Sequence, residues 1–125
     1  MRIISTRMHG ISDYLMALVL IASPWLFGFA TGGIAQWLPV VLGVVLLLQS
    51  LMTRYEFGAF PLISMPVHLG MDVVSGLLLA SSPWVFGFAD AVFWPHLILG
   101  LIEVGTAAMT ETTPHMSGRM ATSHR

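Results

Sequence analysis

The chain has 125 residues, of which 56% are apolar and 9% charged, with no cysteine and a formal net charge of -1. A soluble domain carries about 25% charged residues, and the five basic and six acidic groups here cannot coat a water-facing surface of this length. Disulfides, cysteine-based metal sites and thiol chemistry are excluded, no basic patch is present for nucleic acid, and the composition predicts an integral membrane protein whose first partner is the lipid bilayer.

Residues 1–7 form a short lead carrying Arg2 and Arg7. The first apolar run is followed by Pro24 and aromatic residues rather than by a small-residue cleavage site, so it is expected to stay in the protein. Residues 8–29 are then a first span, since roughly 20 helical residues cross a bilayer core of about 30 Å. A glycine-containing turn leads to a second span over 36–53. Residues 54–66, with Arg54, Tyr55, Glu56 and two prolines, are a connector. Spans over 67–88 and 93–110 follow, and 111–125 is a polar tail expected to be disordered.

The chain repeats itself. Ser-Pro-Trp-Leu-Phe-Gly-Phe-Ala at 23–30 returns at 82–89 with one change, Leu26 to Val85, 59 positions later. The returning helices align at an offset of 57: Trp37 with Trp94, Leu42-Gly43 with Leu99-Gly100, Met52-Thr53 with Met109-Thr110. The expected fold is therefore all-α, a four-helix transmembrane bundle of two tandem two-helix hairpins, 8–53 and 67–110. Two spans return the chain to its starting side, so a parallel pseudo-two-fold axis along the membrane normal should relate the hairpins. All five arginines (2, 7, 54, 119 and 125) fall on the side of the termini and connector. By the positive-inside rule that side is cytoplasmic.

The repeated motif has a structural reading first. Ser23 caps a new helical segment begun by Pro24, or Pro24 lies inside the span and removes the hydrogen bond to Leu20. Trp25, Phe27 and Phe29, with Trp84, Phe86 and Phe88, then sit near the outer interface. Gly28 and Gly87 permit the reversal, and Ser82 and Pro83 repeat the roles of Ser23 and Pro24. A ligand site built from these aromatics is the lesser reading. Glycines 43, 70, 76, 100 and 105 and Ser75 would let helices approach closely.

On the tripeptide, the following Phe-Gly-Phe and the hairpin layout, the chain resembles the SPW repeat family of small bacterial membrane proteins over roughly residues 8–110. The resemblance implies residence in the bacterial inner membrane. It supplies no reaction and no catalytic residues.

The polar residues within the spans carry the chemistry. His9 and Asp13 are four apart, as are His68 and Asp72, and the 59-residue offset maps one pair onto the other. The i, i+4 spacing puts each pair on one helix face. Glu103 is unmatched, its aligned position being Leu46, and sits mid-span, where a carboxylate is expensive. Four uses compete. Each Asp can hydrogen-bond its own His or a nearby Ser and fix helix packing. The two pairs can share a divalent metal, since imidazole and carboxylate suit Zn, Fe or Mn. The pairs with Glu103 can relay protons or a small cation. Last and least favoured, His9 and His68 can ligate a haem. No cofactor is predicted outright. His96, beside Pro95, reads as an interface residue, and His115 and His124 as tail residues without a site. The leading expectation is a non-enzymatic membrane protein, structural or accessory to a complex and able to self-associate or bind a membrane partner. A proton or cation pathway and a metal- or haem-binding subunit are the alternatives.

Overall fold

Four helices, α1 (Thr6–Leu26), α2 (Gly33–Leu51), α3 (Met65–Val85) and α4 (Trp94–Ala108), make up the computed structural model, which describes residues 2–114. Among the described residues there is no strand, only two isolated bridges, Ile4 with Thr110 and Thr53 with Ile63. The helices begin and end where local chemistry dictates. The Ser5 hydroxyl accepts from the Met8 N–H at 3.1 Å and the Ser64 hydroxyl from the Val67 N–H at 3.4 Å, each satisfying one of the free donors of a first turn. Both boundaries of α3 lie 59 positions after those of α1.

Pro24 lies inside α1, so the second of its two sequence readings applies. It denies the Leu20 carbonyl its usual N–H partner. The Ser23 hydroxyl takes that carbonyl instead, at 2.8 Å, and Ser82 does the same for Leu79 ahead of Pro83, at 2.6 Å. The helix then closes. Phe27 N–H bonds the Ser23 carbonyl at 2.9 Å, Gly28 turns left-handed at φ 75°, and Phe29 N–H reaches back to the Pro24 carbonyl at 2.8 Å. Gly87 and Phe88 repeat this on α3, with Phe88 N–H 2.7 Å from the Pro83 carbonyl. The octapeptide is thus a helix terminator in which the carbonyls of Leu20, Ser23 and Pro24, and of Leu79, Ser82 and Pro83, each have a partner. Its tryptophans point outward, and Phe29 and Phe88 turn in against His96, with ring centroids 4.8 and 4.9 Å away.

Helices α1 and α2 pack closely, as do α3 and α4. The glycines say why. A Cβ on Gly43 would stand 2.9 Å from the Ala17 carbonyl, and one on Gly100 would stand 2.5 Å from both the Ala80 nitrogen and the Gly76 carbonyl. Gly70 and Gly105 have nothing within 4 Å of that position, so the expectation that they also serve close approach is corrected.

Burial departs from that of a soluble bundle in its polar residues and its exterior. His9, Asp13, Gln49, His68, Asp72 and Glu103 are inside, while Leu15, Leu18, Val41, Val74, Leu77 and Leu101 face out. Buried polar groups beside a broad apolar exterior are the informative departure from ordinary globular burial. α2 and α3 are each long and apolar enough to cross a bilayer. A small apolar core of Ala17, Leu20, Leu46 and Leu79 fills mid-bundle, and a second, of Tyr55, Met65, Leu69 and Ala107, lies toward the connector.

The segments at that end are folded onto the bundle. Ile4 N–H bonds the Met109 carbonyl and Glu111 N–H the Ile4 carbonyl, both at 2.8 Å. The Arg2 guanidinium donates to the carbonyls of Thr110 at 2.6 Å and Ala107 at 3.3 Å, placing positive charge at the C-terminus of α4. Residues 115–125, with most of the expected tail and Arg119, Arg125, His115 and His124, lie outside the described residues.

Candidate metal centre

His9 and Asp13 project from α1, and His68 and Asp72 from α3, and all four are buried. One ligand-capable atom from each lies within 4.8 Å of the others. His9 Nε2 stands 2.9 Å from Asp13 Oδ1 and 2.8 Å from Asp72 Oδ2. His68 Nε2 stands 2.9 Å from Asp13 Oδ2 and 3.2 Å from Asp72 Oδ2. Each carboxylate therefore serves both imidazoles. The expectation that each Asp pairs with its own His covers half of these contacts; the rest cross between α1 and α3.

The outer ring nitrogens fix the proton positions. Thr110 Oγ1 donates to the Thr106 carbonyl and Thr53 Oγ1 to the Gln49 carbonyl, each at 2.5 Å. A hydroxyl has one proton to give. His9 Nδ1–H must then donate to Thr110 Oγ1, at 2.8 Å, and His68 Nδ1–H to Thr53 Oγ1, at 2.6 Å. This is the outer-shell arrangement that orients a ligating imidazole. Each imidazole is held by the threonine of the other half of the chain. With Nδ1 protonated, the inward Nε2 has two options. It carries a second proton and faces the carboxylates as imidazolium, or it presents a lone pair to a cation. His68 Nε2, though close to both carboxylates, has hydrogen-bonding geometry toward neither.

Two further groups complete the shell. Gln49 Nε2 donates to Asp72 Oδ1 at 2.7 Å, and the Tyr55 hydroxyl donates to Asp13 Oδ2 at 3.3 Å. Burial, and after it the nearby Asp13 carboxylate, pushes the Tyr55 phenol well above its ordinary range, so it remains an O–H donor. The connector thus seals the centre. Tyr55 is buried against the His68 ring, 5.6 Å between centroids, and a Cβ on Gly10 would meet Phe57 at 2.6 Å and Tyr55 at 2.9 Å.

The donor set fits a tetrahedral divalent ion. Bonds of about 2.0–2.1 Å separate neighbouring ligand atoms by about 3.3 Å, so the nitrogen–oxygen pairs would open slightly and the widest pair, within 4.8 Å, would draw in to seat one. A haem does not fit, because the two carboxylates occupy the space between the imidazoles where a porphyrin plane would lie.

The remaining sequence candidates lie elsewhere. Glu103 stands outside the four-residue set and lines a cavity of about 30 Å³ that Asp13 also lines. The residues of the two Ser-Pro-Trp stretches are at the far ends of α1 and α3. His96, in the first turn of α4, is buried between the two phenylalanines, its Nε2–H donating to the Ala35 carbonyl at 2.8 Å. Thr53, Thr110, Gln49 and Tyr55 were not singled out as site residues from sequence. The aligned Met-Thr pairs at the ends of the second and fourth spans, and the strongly polar Gln49 inside the second span, are the signals the sequence carries for them.

The family model of the SPW repeat domain matches residues 7–110. No curated protein and no solved structure matches the chain.

Proposed function

The chain belongs to the SPW repeat domain family, and from that membership and the geometry of its centre we propose that it is an integral membrane protein of two tandem hairpins that binds one divalent cation of the Zn class between α1 and α3. The observation that carries this reading is the pair of Nδ1-locked imidazoles aiming Nε2 at two shared carboxylates. Charge supports it. Two neutral imidazoles, two carboxylates and one divalent ion sum to zero, which a low-dielectric interior favours. Four protein ligands complete a tetrahedron and leave no open position for substrate, so the ion would be held rather than used for hydrolysis. Haem is not proposed. The leading expectation from sequence, a non-enzymatic structural or accessory protein, is kept in this form, with the ion as a tie between the halves.

The hydrogen-bonded 2.8 Å contact of His9 Nε2 to Asp72 supports a second occupancy, in which His9 Nε2 carries a proton and His68 Nε2, 2.9 Å from Asp13, would carry another. Two imidazoliums and two carboxylates are also neutral. A cation entering then displaces two protons at constant charge. The test is elemental analysis of the detergent-purified chain after loading with Zn²⁺ and desalting. One zinc per chain in wild type and none in the His9→Ala/His68→Ala variant is expected. Wild type without zinc, folded and helical, would leave only the proton-filled clamp.

A further inference from the structure

The two carboxylates of the centre are not equally enclosed. On the α3 side, Gln49 Nε2 caps Asp72 Oδ1 at 2.7 Å. The residue aligned with Gln49, 57 positions on, is Thr106. Its side chain is too short to do the same for Asp13, and its hydroxyl turns to its own helix, donating to the Glu103 carbonyl at 3.1 Å. Asp13 and Thr106 instead line a cavity of about 30 Å³ bounded by α1, α2 and α4, together with Ser12, Leu46 and Glu103 among others. Glu103 itself departs from the alignment, since the first half has Leu46 there. It is only 5% exposed, and its Oε1 has no hydrogen-bond partner. A buried carboxyl oxygen without a partner, beside a cavity that Asp13 also lines, is a group that a bound cation would satisfy.

We propose that this crevice is the port of the metal centre, and that Glu103 receives a dehydrated divalent cation on the open side of Asp13 and passes it to the four ligands. This rests on the metal reading above. Transfer exchanges the Glu103 oxygen for imidazole nitrogen, and the two protons displaced from the imidazoles leave to water along the same crevice. Glu103 lies five residues before the end of α4, about 8 Å along the axis, with Thr106 one turn nearer that end, on the half of the bundle that carries the connector. The cavity holds about one water. It therefore admits an ion that sheds its hydration readily and disfavours Mg²⁺, which sheds water reluctantly. Glu103 is a positioning residue for loading, outside the tetrahedron.

Stopped-flow exchange of Zn²⁺ between the full detergent-purified chain and a fluorescent chelator tests the port. Glu103→Gln keeps the side-chain shape, Glu103→Leu installs the residue of the first half, and Thr106→Gln installs the cap that Asp72 already has. Each should keep one zinc per chain while slowing uptake and release tenfold or more. Unchanged rates in all three would overturn the port. Loss of zinc from a helical Glu103→Gln chain would also overturn it, by making Glu103 a ligand of the centre. Wild type with no zinc removes the metal reading and the port with it, whereas zinc bound with unaltered exchange in the variants removes the port alone.

Discussion

Thr53 and Thr110 each hold an imidazole from the other half of the chain. Replacing either with Val keeps volume and removes the acceptor. Zinc affinity, measured by chelator competition, should fall about 10–100-fold, as for other outer-shell partners of a ligating histidine. Unchanged affinity would mean that the tautomer lock is irrelevant. Removing a ligand is harsher. His68→Ala leaves two buried carboxylates short of a partner, and a broken buried charge network costs about 3–5 kcal/mol. The expected result is loss of zinc together with a lower unfolding midpoint in detergent. Part of this was legible in the sequence. The i, i+4 pairs were plain, because helical periodicity fixes a face. Their crossing between α1 and α3 was not, because it depends on how two distant segments pack. Tyr55 gave no signal at all, since nothing in a connector's composition says that one side chain folds inward.

At the scale of the helix, the Ser-Pro-Trp stretch solves a backbone problem. Proline strands a carbonyl, and the serine before it supplies the missing donor. Ser23→Ala and Ser82→Ala should each lower stability by about 1–3 kcal/mol, the cost of an unsatisfied buried acceptor, read as a shift in thermal unfolding followed by circular dichroism. Equal stability to wild type would mean that water reaches those carbonyls. Close packing offers an internal control. Gly100→Ala forces a methyl to within 2.5 Å of backbone atoms, whereas Gly70→Ala and Gly105→Ala meet nothing within 4 Å. The first should destabilise by about 1–3 kcal/mol as an overpacked contact; the other two should be neutral. The sequence marked all of these glycines alike, because a small residue in a span does not reveal which way it faces. It also left Pro24 between two roles, and the choice came from where α1 ends.

For the whole molecule, the broad apolar exterior and the length of α2 and α3 support the bilayer as the solvent of the outer surface. Arg2, Arg7 and Arg54 share the end carrying the connector, and we infer that this end is cytoplasmic. The natural absence of cysteine makes a direct assay available. In intact cells, Asp90→Cys, in the turn before α4, should react with a membrane-impermeant maleimide. Ala59→Cys, in the connector, should react only after permeabilisation. The reverse pattern would invert the assignment. The four helices were readable from the sequence, whereas the meeting of the two polar pairs in one enclosed centre had to come from the fold.

The central claim is that α1 and α3 build one four-ligand centre. X-ray absorption at the zinc edge, on the loaded wild-type chain, tests it most directly. Four ligands at about 2.0–2.1 Å are expected, with the multiple scattering of two imidazoles. A six-coordinate shell of oxygen alone, or a single imidazole, would contradict it.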